Sequence, residues 1–212
     1  MTDTSTTSSC ESLSLPEIMA LVNASETADN PLEYTVTITF LRNFTVEGID
    51  PYLKYYCLQT GVKPKISFGG YDTFHQEILD PDSHLYACSP EIIVLSLVLD
   101  QFAPDYSLPN WIADVAIKEI ESLFSLLAEK TSALIAVNSF IPPLYADYGI
   151  TNVADTDGRF FEVARLNQSI RAYVKKYPAR FILIDWERLI CRLGENESLD
   201  YRFWYMSKSP FK

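Results

Sequence analysis

The turn after the first predicted strand carries polar side chains suited to binding a ligand. Residues 35–41 are rich in β-branched and apolar types, which indicates a strand in the interior of a sheet. Arg42, Asn43 and Thr45 follow it directly. In an open α/β sheet the ligand crevice lies at such strand-to-helix turns. This turn is therefore predicted to contribute binding groups, but it offers no serine or cysteine nucleophile.

Polar side chains also follow the other predicted strands. They are Asp72, Asp100, Asn138, Asp185 and Arg188. Because the carboxyl ends of parallel strands meet at one edge of a sheet, we expect them to ring a crevice with the first turn. The two arginines, Arg42 and Arg188, would be able to hold a carboxylate or phosphate in bidentate fashion. Alternatively, they form structural ion pairs with Asp100 and Asp185, and Asn138 caps its own turn.

The two histidines of the chain, His75 and His84, both follow the second predicted strand. Either would be able to act as the base of a rearranged catalytic dyad, or simply pack in a loop. Cys88 is a poor candidate nucleophile, because no base is evident beside it in the sequence. The four cysteines lie far apart without a Cys-x-x-Cys pair, so we expect no metal, no cofactor and a reducing cytoplasmic location.

The elements that position these residues alternate between strands and helices. The predicted strands are 35–41, 65–68, 92–99, 132–137 and 181–184, and the main predicted helices are 51–59, 74–79, 112–128 and 160–177. This alternation predicts a three-layer α/β/α fold of flavodoxin-like type with a five-stranded parallel sheet. Residues 1–33 are predicted to form a flexible tail with a short helix, and residues 34–212 a single domain.

Composition excludes several classes of function. With 48% apolar residues the 212-residue chain is globular, and its net charge of −11 argues against a nucleic-acid or acidic membrane surface. No apolar run approaches the length of a membrane span. The one basic cluster, on the helix near residue 170 and its exit, is either a docking patch for an acidic partner or a solvated helix face. Its members are Arg165, Arg171, Lys175, Lys176 and Arg180.

Several segments taken together resemble a known family. They are residues 40–47, residues 68–77 with 80–83, the strand at 92–99, and residues 200–205. This set is similar to the N-terminal domain of FkbH-like proteins, which precedes a haloacid-dehalogenase-type domain. The resemblance implies an SGNH-hydrolase-like fold over about residues 35–212. It also implies a role in loading a glyceryl unit onto an acyl carrier protein in polyketide-type pathways.

The residues depart from the pattern of an active SGNH hydrolase. Phe44 stands where that family places its serine nucleophile, and Arg188 stands where it places the histidine of the Asp-x-x-His block. An arginine stays protonated and cannot serve as general base. Gly69 or Gly70 would match the oxyanion-hole glycine, or would form a turn that needs positive φ. Asp185 keeps the aspartate of the last block, and Asn43 lies within the first.

These departures favour a catalytically degenerate domain that positions substrate or docks a partner. The implied partners are an acyl carrier protein or a dehalogenase-type catalytic domain. Two alternatives remain: an active esterase or acyl/glyceryl transferase with rearranged residues, including His75 or His84, and a small-molecule-binding α/β domain that shares only the fold. Aromatic residues near the chain end, among them Trp186, Trp204 and Tyr205, predict an interface.

Overall fold

The computed structural model describes residues 13–27, 34–108, 110–143 and 158–212. Most of the predicted N-terminal tail lies outside these residues, and the short helix predicted within it is α1, Leu15–Thr27. Its start is defined by Ser14, whose backbone N–H and hydroxyl both donate to the Glu17 carboxylate, at 2.8 and 2.6 Å. These two bonds lower the pKa of Glu17, because they favour its charged form.

The remaining elements alternate as the sequence predicts. The strands are β1 Tyr34–Arg42, β2 Val62–Tyr71, β3 Ile92–Ser96, β4 Leu134–Asn138 and β5 Phe181–Ile184. The longer helices are α2 Asp50–Gln59, α6 Asp114–Lys130, α7 Arg159–Lys176 and α8 Trp186–Leu193. The shorter helices are α3 Phe74–Leu79, α4 His84–Cys88, α5 Leu99–Phe102, α9 Glu195–Ser198 and α10 Tyr201–Ser207, with 3-10 turns at Glu47–Ile49 and Pro104–Ser107.

The five strands form one parallel sheet in the order β2-β1-β3-β4-β5. This is the flavodoxin-like order, and helices flank the sheet, consistent with the three-layer α/β/α prediction, which is confirmed. The register aligns the strand ends. Arg42 of β1 lies beside Ser96 of β3, and Asn138 of β4 lies beside Ile184 of β5. The polar residues that follow the strands are therefore brought to one edge.

The core sits around β3 and β4, which are almost entirely buried. Both strands are apolar up to their last residues, Ser96 and Asn138, because a central parallel strand is covered on both faces. α6 contributes Ile120, Phe124 and Leu127 at helical spacing, and α7 contributes Val163, Leu166 and Ile170. These side chains belong to one continuous hydrophobic cluster with the strands.

Several bounds differ from the predicted ones. β2 runs through Gly69 and Gly70 to Tyr71, so these glycines are strand residues and neither has positive φ. The turn interpretation of this pair is therefore wrong. A glycine suits position 69 because the backbone of β1 approaches it closely: a Cβ there would lie 3.2 Å from the carbonyl oxygen of Phe40. β3 stops at Ser96, where Leu97 and Val98 leave the sheet and α5 begins.

The chain divides into two compact units. One comprises the described residues up to Thr35 together with 48–64, and the other comprises 36–47 and 65–212. In the first unit α1 packs against α2, with Ile18 and Val22 buried. The second unit holds the strand ends and every site residue predicted from the sequence. No helix within the described ranges has the length and apolarity needed to cross a membrane.

Candidate functional site

Three buried asparagines join the loops at the carboxyl edge of the sheet. Asn43 accepts from the backbone N–H of Val98 at 2.7 Å and donates to the Val98 carbonyl at 2.9 Å. Asn138 makes the same pair with Leu97, at 2.8 and 2.9 Å. Each side-chain amide thus imitates a neighbouring strand where the real strands have ended. Both asparagines were predicted as site residues, and their contacts are those of positioning groups buried beneath the edge.

The third asparagine, Asn167 of α7, bonds Phe140 in the same reciprocal way, at 2.7 and 2.8 Å. Asn138 also donates its second amide hydrogen to the Ser139 carbonyl at 3.0 Å, so both of its donors are used within the fold. The segment from Asn138 to Phe140 is therefore fixed from both sides. Its rigidity matters because the residues after it line a cavity.

Arg42 is buried at the end of β1 and binds within its own turn. It donates to the Phe44 carbonyl at 3.2 Å and pairs with Glu47 at 2.5 Å. The predicted pairing of Arg42 with Asp100 or Asp185 is therefore wrong, because the chain turns sharply after β1 and brings Glu47 back over the guanidinium. The centroid of the Tyr71 ring lies 6.0 Å from the guanidinium carbon of Arg42. Thr45, predicted as a binding residue, donates its backbone N–H to the Lys208 carbonyl at 2.8 Å.

Asp185 caps α8 and belongs to a polar network. It accepts from the backbone N–H of Arg188 at 3.2 Å, from Ser139 at 3.2 Å and from Arg171 at 3.1 Å. Arg171 also binds Glu187 at 2.7 Å. Burial works to raise the pKa of Asp185, but these donors outweigh it, and the pKa lies below its ordinary value. Arg188 therefore contacts Asp185 through its backbone N–H. The predicted ion pair between their side chains is wrong, because Arg171 is the residue that pairs with Asp185.

An aromatic cluster encloses Phe44, in the turn after β1. Phe44 is 1% exposed. Its ring meets Trp186 edge to face at 5.7 Å between centroids and Phe211 at 5.6 Å. Trp186 and Phe211 are 4.9 Å apart, so the three rings close on one another. A phenyl ring offers no lone pair to attack a carbonyl, and here it is also sealed from solvent.

A cavity of about 340 Å³ opens at the same edge of the sheet. It is lined by the exits of β3 and β4 and by the C-terminal segment. Its aromatic and proline walls are Tyr106, Phe140, Pro142, Pro143, Trp186, Trp204, Tyr205 and Pro210. Leu97, Val98, Leu99, Ile141 and Leu199 complete the apolar lining. This volume and lining are typical of a pocket for an organic ligand that is mostly apolar.

Among the described residues, two charged side chains line this cavity, Asp100 and Arg159. Asp100 is the predicted binding residue that the structure places in the cavity wall. Its carboxylate reaches solvent, yet the surrounding wall removes part of its hydration, and this desolvation raises its pKa, while the charge of Arg159 opposes the rise. Arg159 lies over the Tyr106 ring, 5.3 Å from its centroid.

The histidines lie on other elements and do not line the cavity. His75 of α3 bonds Glu119 of α6, with 2.7 Å between Nε2 and Oε1, and its ring stacks on Phe102. His84 of α4 has its Nε2 3.2 Å from the Sγ of Cys88, one turn later. The sequence interpretation that nothing basic accompanies Cys88 is therefore wrong, because i and i+4 residues share a helix face. His84 and Cys88 are both exposed, and neither lines the cavity at the carboxyl ends of the strands.

Asp72 directly follows β2 and lies in the left-handed region, with φ of 57°. Its backbone N–H donates to the Arg42 carbonyl at 3.1 Å, which fixes the turn beside β1. Burial raises the pKa of Asp72, and the charge of His75 opposes the rise. Asp72 and the glycines before it therefore lie beside the end of β1, on the far side of that strand from β3.

The predicted basic patch on α7 is largely internally paired. Arg165 binds Glu162 and Asp114, and Arg171 binds Asp185 and Glu187. Arg180 donates to the Thr131 carbonyl at 2.6 Å. Arg180, Lys175 and Lys176 form no ion pair within the described part of the chain, and Lys176 lies over the Tyr177 ring. The interpretation of this cluster as a mostly structural helix face is the one that these contacts favour.

Several cavity residues carry no motif and were not predicted as binding groups. Tyr106 and Arg159 come from two separate stretches of the chain, and Trp204 and Pro210 come from a third. The signal that pointed toward part of this set was the unusual density of aromatics near the chain end, which predicted an interface. Tertiary folding makes three of those aromatics, Trp186, Trp204 and Tyr205, part of the cavity wall.

Comparison with known proteins shows the fold. No protein-family model matches the chain, and no curated protein matches it. A solved structure does, with a TM-score of 0.80 and 13% sequence identity: the N-terminal part of the protein BF1531 from Bacteroides fragilis, which contains a phosphatase domain and is complexed with Mg. The similarity covers 95% of this chain and 52% of that one. The chain thus shares the fold of about half of this longer protein.

Proposed function

We propose that this chain is a non-hydrolytic SGNH-like domain of an FkbH-like protein, which positions an acyl- or glyceryl-type unit carried by an acyl carrier protein. The observation that carries the proposal is the pairing of a blocked nucleophile position with a cavity beside it. Phe44 is sealed behind Trp186, and Trp186 is itself a wall of the cavity. The site thus retains room for a ligand at the sheet edge while lacking the group that would cleave it.

The electrostatics around the last block support the same proposal. A Ser-His-Asp hydrolase needs a histidine held by the aspartate, and here Asp185 is occupied by Arg171, Ser139 and the N-terminus of α8. A carboxylate committed in this way orients a helix rather than a base. The active-enzyme alternative would have to use His75 or His84, and these contact Glu119 and Cys88 respectively, outside the cavity.

The partner domain is the second part of the proposal. The structural neighbour is described as containing a phosphatase domain complexed with Mg, and this chain spans about half of its length. We propose that a phosphatase-type domain of the haloacid-dehalogenase kind works beside this chain and supplies the phosphate chemistry. Within the described residues no group of three or more His, Cys, Asp or Glu side chains is arranged to hold a metal ion.

Calorimetric titration with acetyl-pantetheine, combined with an assay of ester cleavage, tests this function. We expect saturable binding without hydrolysis and without labelling by a fluorophosphonate probe. Trp204→Ala should weaken binding by about tenfold, since it removes one aromatic wall. Tyr56→Ala is the matched control, because this exposed aromatic of α2 does not line the cavity. Ester turnover lost on changing His75 or His84 would establish the enzyme alternative, and absence of binding would overturn the positioning role.

A further inference from the structure

We infer that the exposed faces of α8 and α10 form the docking surface for the acidic carrier protein, at the mouth of the cavity. This inference rests on the proposed function and adds the place where the partner binds. The surface, called here the α8/α10 surface, consists of Arg188, Leu189, Arg192 and Leu193 of α8 with Phe203, Tyr205 and Met206 of α10. All seven side chains are exposed.

The apolar part of this surface is unusual for residues in contact with water. Tyr205 and Met206 are 81% and 79% exposed, and Leu193 is 61% exposed. Leu189 and Leu193 are four residues apart, so they lie on one stripe of α8. These exposed apolar residues lie on two helices that both contribute to the wall of one cavity. Such a concentration marks an interaction site rather than single solvated side chains. Aromatic and methionine side chains are also those enriched at interfaces.

The charge of the segment that contains α8 and α10 favours an acidic partner. The whole chain carries −11, but residues 186–212 hold five cations against four acids. Glu187 is engaged by Arg171 from outside this segment, and Asp200 is engaged by Arg202 from within it, which leaves four cations against two acids. Arg188 and Arg192 lie one turn apart on α8, and neither forms an ion pair within the described part of the chain. A strongly acidic protein is repelled by most of this molecule and is accepted best here.

The position of the surface connects docking with the cavity. Trp186 at the start of α8 and Trp204 with Tyr205 in α10 line the cavity, so both helices border its opening. The segment is held in place by the bond from Thr45 to Lys208 and by the insertion of Phe211 against Phe44. A carrier bound on α8 and α10 would therefore present its flexible arm directly to the cavity. α9 lies between α8 and α10 along the chain and carries the two remaining acids of the segment, Glu195 and Glu197.

The test compares two double variants with the same change of charge and polarity. Arg192→Glu/Leu193→Asp alters the docking surface, whereas Lys118→Glu/Val115→Asp alters an equally exposed cation and aliphatic residue on α6. We expect the first variant to bind a holo acyl carrier protein at least about tenfold more weakly and the control to bind within about twofold of the unaltered chain. Acetyl-pantetheine should bind all three chains equally, and carrier binding should weaken with added salt.

The outcomes separate this inference from the proposed function. Loss of carrier binding with retained acetyl-pantetheine binding supports the docking surface. Equal carrier binding by both variants overturns the surface and leaves the cavity proposal standing. Absence of acetyl-pantetheine binding to the unaltered chain refutes the cavity proposal instead. If sedimentation shows the chain to dimerise, and the α8 variant to be monomeric with unchanged carrier binding, the surface is a self-association site and the inference fails.

Discussion

At the scale of single residues, the carboxyl edge of the sheet combines groups that hold the fold with groups that face a ligand. Asn43, Asn138 and Asp185 have their hydrogen-bonding capacity directed into loops and helix starts. Asp100 is different, because its carboxylate lies in a cavity wall and its pKa is raised by desolvation. The polar residues at this edge are therefore mostly structural in their contacts, and Asp100 is the one of these four that lines the cavity.

Replacing Phe44 tests whether its position is structural. Phe44→Ala should lower the free energy of unfolding by about 3–5 kcal/mol, because a fully buried ring between Trp186 and Phe211 leaves a cavity behind. Urea denaturation followed by circular dichroism measures this change. Phe44→Ser, which places a hydroxyl in the turn after β1, should be destabilised similarly and should still show no ester turnover. Turnover by that variant would contradict the structural assignment of the site.

The depressed pKa of Asp185 predicts a defined dependence of stability on pH. A carboxyl whose pKa is lower in the folded than in the unfolded state stabilises the fold above its unfolded pKa, which is about 3.9. This contribution is lost as the pH falls below about 5 toward the folded pKa. The stability difference between the unaltered chain and Asp185→Asn should therefore be largest near pH 7 and shrink toward pH 3. A difference that stays constant with pH would contradict it.

At the scale of elements, the loops after the strands are held by side chains because the strands have ended. β1, β3 and β4 stop within a few residues of one another, and their last backbone groups would otherwise lie buried without partners. Asn43 and Asn138 supply those partners across the gaps on either side of the β3 exit. The cavity is built on this exit, so its shape depends on groups that do not touch it.

Removing one of these bridging amides tests that dependence. Asn138→Ala should cost about 1–3 kcal/mol, because the backbone N–H and carbonyl of Leu97 lose their partners while buried. Asn196→Ala is the matched control, since its side chain is on the surface of α9. Thermal unfolding of both variants measures the difference. Equal melting temperatures for the two variants would mean that the bridge is not needed to hold the β3 exit.

At the scale of the whole molecule, the chain consists of two compact units that differ in the size of their cores. The larger unit contains the continuous hydrophobic cluster around β3, β4, α6 and α7. The smaller unit buries Ile18 and Val22 of α1, and α2 contributes no buried residue. Burial of apolar surface is the main source of stability, so the two units are expected to open at different cost.

Hydrogen exchange measured by mass spectrometry tests this difference. Amides of α1 and α2 should exchange through openings that cost less free energy than those of β3 and β4, because fewer apolar side chains hold them. Peptides from 15–27 and 50–59 should therefore lose protection at lower denaturant concentration than peptides from 92–96 and 134–138. Identical protection across all four peptides would show that the two units open as one.

The sequence by itself determined the class of fold. The alternation of apolar strands with amphipathic helices predicted five parallel strands, and the structure confirms that class and the flavodoxin-like strand order. It predicted these features well because strand and helix periodicities are local properties of the chain. The sequence also shows that Phe44 cannot act as a nucleophile and that Arg188 cannot act as a general base, because these properties depend only on the residue type.

Only the tertiary structure decided what the polar residues do. Arg42 forms an ion pair with Glu47, and Arg171 forms one with Asp185. Ion pairs form between groups that folding brings within about 4 Å, whatever their spacing in the sequence. The cavity likewise joins Asp100, Arg159 and Trp204, which are separated by dozens of residues. No local pattern encodes such a wall, because it arises from the way distant loops pack against one another at the end of the sheet.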